Sequence, residues 1–160
     1  MMQKLKVLGA LAIAGTAFAL NARAEEAFDA CNFFTAADAE AALGVAAAPE
    51  PVNPKVKRPK VVLSCTYNGF KDGKPVAAST QLKVSRSDSE AQRAFDEARL
   101  QFQTKPMLLP GAEAFWAGKV GQLNVRKGRT WMVIAVGPPK VNERDIEQAK
   151  KLAEILLKKL

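Results

Sequence analysis

Two segments of alternating apolar and polar residues, 61–70 and 76–85, flank a short turn sequence at 71–75. The turn contains Asp72 and Gly73, and an Asp-Gly pair between two alternating runs is a strong signal for a β-hairpin. Leu63, Cys65 and Tyr67 fall on one side of the first segment, and Ala78, Thr80, Leu82 and Val84 fall on one side of the second. The sequence therefore predicts two antiparallel strands with one buried face.

The rest of the chain predicts helices and further strands around this hairpin. Amphipathic stripes predict helices at 35–43, 87–103 and 142–160. Apolar or alternating segments predict strands at 114–116, 119–126 and 129–136. The resulting order, αββαβββα, favours an α+β domain in which about five antiparallel strands form one sheet and the helices pack on one face.

Three helix starts carry capping residues. Thr35 with Asp38, and Ser87 with Glu90, have the spacing at which a hydroxyl and a carboxylate cap the first turn reciprocally. Asn142 is expected to cap the last helix. These residues place the helix beginnings, and the apolar stripes behind them place the buried sides.

The core is expected to include Tyr67 and Trp131 from the strands and Leu152 and Leu156 from the last helix. The last helix is apolar along one stripe and rich in lysine beside it. Two readings stay open for it: a helix docked on its own sheet, or a helix lying on a membrane surface.

The first 24 residues have the three parts of a secretory signal peptide. Positive charges precede an uncharged stretch at 7–20, and Ala22 and Ala24 form a small-residue cleavage pattern. The uncharged stretch is shorter than the ~20 residues needed to cross a bilayer core. We therefore expect cleavage after Ala24 and a mature protein of residues 25–160, folded as one domain and located in the periplasm or secreted, with no integral membrane segment.

Charge and composition exclude several kinds of site. The formal net charge is +8, and removal of the signal peptide takes away three basic residues and no acidic one, so +8 minus 3 leaves +5. This moderate charge fits contact with anionic surfaces. The chain has no histidine, which excludes Ser-His-Asp and Cys-His catalysis and His-based metal sites. We expect no cofactor, no metal and no nucleic-acid partner.

Cys31 and Cys65 are the two cysteines of the chain. An even number of cysteines in a small exported domain suggests a disulfide, and two cysteines allow one intramolecular pairing. Closing that loop would stabilise the fold by roughly 4 kcal/mol. A reactive thiol or a metal ligand is the alternative, but the C-x-x-C spacing is absent and two ligands rarely hold a metal.

Residues 46–60 contain four prolines and four basic residues. Prolines at this density break helices and central strands, so the segment is predicted to be a long surface loop. Two interpretations remain open for it. It is either a solvated connector or a basic contact patch.

The sequence offers one candidate binding surface. Its members are polar residues that point away from the apolar sides of two strands: Ser79, Gln81, Lys83 and Ser85 in one, and Gln122, Asn124 and Arg126 in the other. If the helices cover one face of the sheet, these residues share the other. Lys83 and Arg126 would bind an anionic ligand or an acidic partner. Ser85, Gln122 and Asn124 would add neutral hydrogen bonds. The alternative is an ordinary solvated sheet face.

Three segments of the chain carry a family resemblance. They are 29–31 with Thr35 and Leu43-Gly44, then 64–67, then 110–116. In this order they resemble bacterial secreted domains of unknown function, best known as actinobacterial lipoproteins, across nearly the whole mature chain. The resemblance implies a disulfide, an α+β fold similar to that of PsbP-like photosystem-associated domains, and no activity.

The chain departs from that family at two points. No Leu-x-x-Cys lipobox precedes Cys31, so lipid anchoring does not carry over. Phe33 and Phe34 stand where the family has two leucines, a substitution that an apolar core tolerates.

Taken together, these observations predict an exported, non-enzymatic module that binds an unknown ligand or partner protein. One alternative is an envelope-associated protein that acts through its basic, amphipathic C-terminal helix. The other is an enzyme that uses carboxylate or lysine chemistry, against which the missing histidine and the lack of a recognisable acid–base cluster weigh.

Overall fold

The computed structural model describes residues 29–50, 63–102 and 104–160 of the protein. These residues form four α-helices and seven β-strands. The helices are α1 (Ala30–Phe33), α2 (Ala36–Leu43), α3 (Asp88–Gln101) and α4 (Ile146–Leu157). The strands are β1 (Ala47–Pro49), β2 (Ser64–Lys71), β3 (Lys74–Val84), β4 (Thr104–Leu109), β5 (Ala112–Ala117), β6 (Gln122–Lys127) and β7 (Thr130–Gly137).

The strands form one antiparallel sheet in the order β1-β2-β3-β7-β6-β5-β4. The predicted hairpin is present as β2 and β3, and its turn residues Asp72 and Gly73 both have positive φ, at 52° and 72°. Two consecutive residues with positive φ match the right-handed twist of the flanking strands. The chain then crosses through α3 to β4 at the far edge and returns through β5, β6 and β7, so that β7 lies beside β3.

The predicted sheet of about five strands, with the order αββαβββα, is wrong because the described residues contain two more strands. β1 lies in the segment predicted to be a proline-rich loop, and β4, which contains Pro106, lies between the predicted helix at 87–103 and the predicted strand at 114–116, where no strand was predicted. Both strands are edges of the sheet. An edge strand tolerates a proline such as Pro49 or Pro106, because the missing N–H can face away from the neighbouring strand. The class itself is α+β, as predicted.

The helices lie on both faces of the sheet, so the prediction that they share one face is also wrong. α1, α2 and α4 pack on the first face, which carries the main core. α3 packs on the second face, where Phe95 and Ala98 contact Phe115 and Ala117 of β5. The Phe95 ring centre is 4.9 Å from that of Phe115 and 6.2 Å from that of Trp131. A helical stripe shows which side of a helix is buried but not which sheet face buries it.

The main core confirms most of the expected buried residues. Tyr67, Leu152 and Leu156 are buried, and Trp131 is half-buried between α3 and solvent. The apolar side of α4 packs against the first face of the sheet. Its buried residues are Ala149, Leu152, Ala153, Leu156 and Leu157. Of the two readings of this helix, docking on its own sheet is the one observed.

Two predicted helix starts are present. Thr35 Oγ1 accepts a hydrogen bond from the Asp38 N–H at 3.4 Å, and Asp38 Oδ2 accepts one from the Thr35 N–H at 2.8 Å. Ser87 Oγ accepts from the Glu90 N–H at 3.2 Å. The Glu90 carboxylate, however, accepts from the N–H of Arg86 and not from that of Ser87. Both pairs satisfy donors that the first helical turn leaves without partners.

The last helix begins later than predicted. Asn142 lies within a short 3₁₀ helix, Val141–Glu143, and does not cap α4. The cap is Asp145, whose Oδ1 accepts hydrogen bonds from the N–H groups of Glu147 and Gln148. Asn and Asp are equally good at this position, so the sequence alone does not separate the two candidates.

Cys31 and Cys65 form the predicted disulfide, with their Cα atoms 5.1 Å apart. The bond joins α1 to β2. Close to it, the Tyr67 hydroxyl donates to the Phe34 carbonyl at 3.1 Å, and the two rings meet edge to face at 5.0 Å. The disulfide, the hydrogen bond and the ring contact together fix the beginning of the described chain on the first face of the sheet.

Two predictions fall on other parts of the chain. The signal peptide at 1–24, and residues 51–60 of the proline-rich loop, lie outside the described residues. Within the described ranges, no helix has the length and apolar character needed to cross a membrane.

Lys159 ties the end of α4 to α1 and α2. Its Nζ donates to Asp38 Oδ2 at 2.5 Å and to the Phe33 carbonyl at 3.0 Å. Burial alone would raise the pKa of the Asp38 carboxyl, but the hydrogen bonds from Lys159 and Thr35 outweigh burial and hold that pKa below its ordinary value. The ionised carboxylate is therefore stabilised in the folded state.

Replacing Lys159 with methionine should lower the free energy of unfolding by about 1 kcal/mol at neutral pH, a value reduced because the lysine side chain is partly exposed. Because the pKa of Asp38 is lower when folded than when unfolded, this stabilisation is present above the unfolded pKa. It disappears as the pH falls through the folded pKa. Urea unfolding should show the wild-type advantage at neutral pH and a much smaller one at about pH 2.

Lys158→Met is the matched control for this prediction, because Lys158 is exposed and its Nζ makes no hydrogen bond or ion pair within the described chain. It should leave the free energy of unfolding nearly unchanged at both pH values. An equal wild-type advantage over Lys159→Met at neutral and acid pH would contradict the assignment to Asp38.

Candidate functional site

On the second face of the sheet, α3 covers only the part around β5. The apolar contacts of α3 on this face are to β5, to Trp131 at the start of β7, and to Val120 between β5 and β6. The part of the second face built from β2, β3, the first residue of β6 and the remainder of β7 is free of helices among the described residues. We call this part the open face; the residues that form it are Ser64, Thr66, Ser79, Gln81, Lys83, Gln122, Val133 and Ala135.

Strand register determines how these side chains lie together. Ser64 is opposite Gln81, which is opposite Val133. In the next row, Thr66 is opposite Ser79, which is opposite Ala135. Directly opposed residues of antiparallel strands point to the same face, so these two rows are neighbours. They place hydroxyl and amide groups beside a floor of small apolar side chains.

The open face contains a shallow depression of about 190 Å³. Its lining consists of Ser64, Thr66, Ser79, Thr80, Gln81, Gln122, Val133 and Ala135. None of these side chains is charged. Ser79 Oγ lies 3.5 Å from the Ala135 carbonyl, a long contact that leaves the hydroxyl able to bind elsewhere. The depression can form hydrogen bonds but offers no group for acid–base chemistry.

Lys83 lies on the open face one row beyond the depression. It is opposite Trp131, and its Nζ is 5.6 Å from the centre of the Trp131 ring. This distance allows a cation–π contact, which holds the ammonium group over the indole while leaving it exposed. The Trp131 Nε1–H in turn donates to Asn124 Oδ1 at 3.1 Å. Asn124 is buried, so its side chain orients Trp131 and is not available to a ligand.

Arg126 lies on the same side of the sheet, but its charge is already neutralised. Its Nη2 donates to Glu113 Oε1 at 2.5 Å and its Nη1 donates to the Gly128 carbonyl at 2.9 Å. The pKa of the Glu113 carboxyl is lowered by hydrogen bonds from Gln92 and from Arg126, which outweigh partial burial. The pair is therefore ionised at neutral pH, and the guanidinium group has a resident partner.

Ser85 is buried and does not lie on the open face. It lies at the end of β3, where its N–H donates to the Arg129 carbonyl at 2.9 Å. Of the five candidate ligand-binding residues, Lys83 and Gln122 lie on the open face. Asn124 and Arg126 lie on the same side of the sheet but are held by other protein groups.

Sequence reasoning missed four residues of the open face. Ser64 and Thr66 alternate with Cys65 and Tyr67 in β2, so the same alternation that predicted the buried side could have identified them. The sequence around Val133 and Ala135 shows no such alternation of apolar and polar residues. β7 is a central strand and is apolar on both faces, which hides the face that solvent reaches.

The described residues contain no group of three or more His, Cys, Asp and Glu side chains placed to hold a metal ion. No protein-family model, curated protein or solved structure matches the chain. The resemblance to secreted domains of unknown function and to the PsbP-like fold therefore stays a prediction, and function has to be argued from the surface itself.

Proposed function

We propose that the protein is an exported, non-enzymatic interaction module that binds a partner protein through the open face. The observation that carries the proposal is the polar, helix-free area on the second face, which joins two rows of hydroxyl and amide side chains to an exposed lysine. Export is supported by the signal-peptide pattern of residues 1–24 and by a disulfide, a bond that persists in oxidising compartments.

The size of the depression favours a protein over a small molecule. Pockets for small ligands occupy ~300–1,000 Å³ and bury most of the ligand surface, whereas the depression on the open face measures about 190 Å³ and is shallow. A flat area with small side chains such as Ser79 and Ala135 suits a flat partner surface, because neither side has to be reshaped on binding.

Lys83 indicates the chemistry of the partner. It makes no ion pair within the described chain, and its contact with Trp131 restricts where the ammonium group lies. A partner that brings a carboxylate to this point gains a charged hydrogen bond, and Gln81 is adjacent to add neutral ones. We therefore assign the partner an acidic side chain opposite Lys83.

An enzyme using carboxylate or lysine chemistry is the alternative from a different class. A general acid at neutral pH needs a carboxyl whose pKa is raised toward neutrality. The pKa values of Asp38 and Glu113 are instead lowered, and both groups are ion-paired, with Lys159 and Arg126 respectively. These properties favour binding over catalysis.

The alternative in which the C-terminal helix acts on the envelope requires an apolar helix face available to lipid. The apolar stripe of α4 is buried against the sheet, so the residues that α4 exposes, such as Glu147, Lys151 and Glu154, are mostly charged. A contact with the envelope made by this helix alone would therefore be electrostatic.

Affinity capture with the protein isolated from its host tests the proposal. Lys83→Glu combined with Gln81→Glu should reduce recovery of the specific partner at least tenfold, because a repulsive charge replaces an attractive one at the centre of the contact. Lys74→Glu is the matched control, since Lys74 is equally exposed but lies at the hairpin turn, away from the open face.

Mass spectrometry of the captured proteins decides between the outcomes. A protein retained by the wild type and by Lys74→Glu, but lost with the double variant, supports the open face as the binding surface. Equal recovery by a folded double variant contradicts it, and turnover of a substrate by the purified protein would contradict the non-enzymatic assignment.

A further inference from the structure

A second exposed area lies at one end of the sheet, where β3 and β6 finish and β7 begins. Val84 at the end of β3 is opposite Thr130, which is opposite Lys127 at the end of β6. Lys127 Nζ donates to the Leu157 carbonyl at 3.2 Å, which brings the C-terminal end of α4 to the same place. The strands and the helix therefore finish together at one surface of the molecule.

Four exposed cations share this surface, which we call the basic end: Arg86, Lys127, Arg129 and Lys158. Arg129 Nη1 reaches the Arg86 carbonyl at 3.5 Å, so the turn between β6 and β7 lies against the start of α3. None of the four forms an ion pair within the described residues. The basic end is thus a concentration of positive charge whose cations have no acidic ion-pair partner among the described residues.

Two acidic residues are close to the basic end. Asp88 and Glu90 lie in the first turn of α3, where a negative charge is stabilised by the helix N-terminus, and the Glu90 carboxylate accepts the Arg86 N–H. Even with these two charges counted, four cations against two anions leave the area positive. The pairs Arg126–Glu113 and Lys159–Asp38 are neutral and do not alter the balance.

Large apolar side chains are exposed at the same end. Val84 is 57% exposed, and Leu63, whose carbonyl accepts the Leu82 N–H at 2.7 Å, is 47% exposed. Leu160, just beyond α4, is 45% exposed. Exposed aliphatic residues between lysines and arginines match the two components of a bilayer interface, since the cations meet anionic headgroups while the apolar groups enter the acyl boundary.

We propose that the basic end binds the surface of an anionic lipid bilayer, with the sheet standing end-on to the membrane. This is a second surface, distinct from the open face: the depression lies further along the sheet, and Lys83, although adjacent to Val84 in β3, lies on the second face and not at the end of the sheet. A domain held in this way leaves the open face turned sideways, accessible to a partner.

Co-sedimentation with vesicles tests the proposal on the protein as isolated from its host. Wild type should bind vesicles containing phosphatidylglycerol, release from them as salt is raised, and not bind vesicles of phosphatidylcholine alone. Each cation near an anionic bilayer strengthens binding about fivefold, so Arg86→Gln with Lys158→Gln should weaken it about 25-fold. Neither side chain makes a hydrogen bond in the described chain, so the fold should be unaffected.

Two further variants separate the proposal from its alternatives. Lys71→Gln with Lys74→Gln removes two exposed cations at the opposite end and should leave binding unchanged; equal weakening by this pair would overturn the assignment to the basic end. Val84→Ser with Leu63→Ser should weaken vesicle binding severalfold. Full binding by that variant would overturn the part of the proposal in which apolar side chains enter the bilayer. Failure of the wild type to bind phosphatidylglycerol vesicles would overturn the lipid assignment itself. Neither result depends on whether the open face binds a partner.

Discussion

Leu156→Asp should lower the free energy of unfolding by about 4 kcal/mol and the melting temperature by more than about 10 °C. Leu156 is fully buried between α4 and the first face of the sheet. The aspartate would place an uncompensated carboxylate in an apolar region and also leave space that the leucine filled. Thermal unfolding followed by circular dichroism measures the effect.

Leu160→Asp is the matched control for that prediction. Leu160 lies at the end of the same helical region but is 45% exposed, so the same substitution should change the free energy of unfolding by about 0.5 kcal/mol or less. An unchanged melting temperature for Leu156→Asp would mean that α4 is not docked on the sheet in solution.

Removing the disulfide should have an effect of similar size. Cys31 and Cys65 are 34 residues apart in sequence, and closing a loop of this length stabilises a fold by roughly 4 kcal/mol. Replacing both cysteines with serine, or reducing the wild type, should therefore lower the urea midpoint strongly. The contacts of Phe34 and Tyr67 beside the bond should loosen with it, because α1 is then held only by packing and by the hydrogen bonds from Tyr67 and Lys159.

Reducing agent added to the double serine variant is the control and should have no effect. The wild type should also fail to react with a thiol reagent unless it is first reduced. Full thiol reactivity without reduction, or a urea midpoint that reducing agent leaves unchanged, would contradict the disulfide.

The parts of the fold that were predictable are those determined by neighbours in sequence. The β2–β3 hairpin follows from the Asp72-Gly73 turn between alternating runs, and the start of α2 follows from Thr35 and Asp38 three residues apart. In each case the residues that decide the local structure are within a few positions of one another, so tertiary contacts had little to override.

The parts that were not predictable depend on position in the finished sheet. Pro49 and Pro106 argue against strands in general, and only their place at the two edges makes β1 and β4 possible. The apolar stripe of α3, with Phe95 at its centre, does not show that this helix lies on the opposite face from α4. The face on which α3 lies depends on how the chain crosses from β3 to β4 at the far edge of the sheet.

The candidate site likewise has a part that the sequence predicts and a part that only the fold determines. The alternation of apolar and polar residues in β3 predicted that Lys83 lies on a polar face of the sheet, and the structure has it there. The partners that occupy Arg126 and Asn124 are Glu113, 13 residues away, and Trp131, 7 residues away, and both contacts depend on the pairing of β6 with its neighbours. A cation that looks available in sequence can therefore be neutralised in the fold.

The most direct test of the open face as a binding surface is site-specific photo-crosslinking in the native host. A photoreactive phenylalanine analogue placed at Gln81 or Thr66 should give one discrete crosslinked product, because both positions lie at the centre of the proposed contact. The same analogue at Glu154, exposed on the outer side of α4, should give none. A product from Glu154 with none from Gln81 or Thr66 would contradict the proposal.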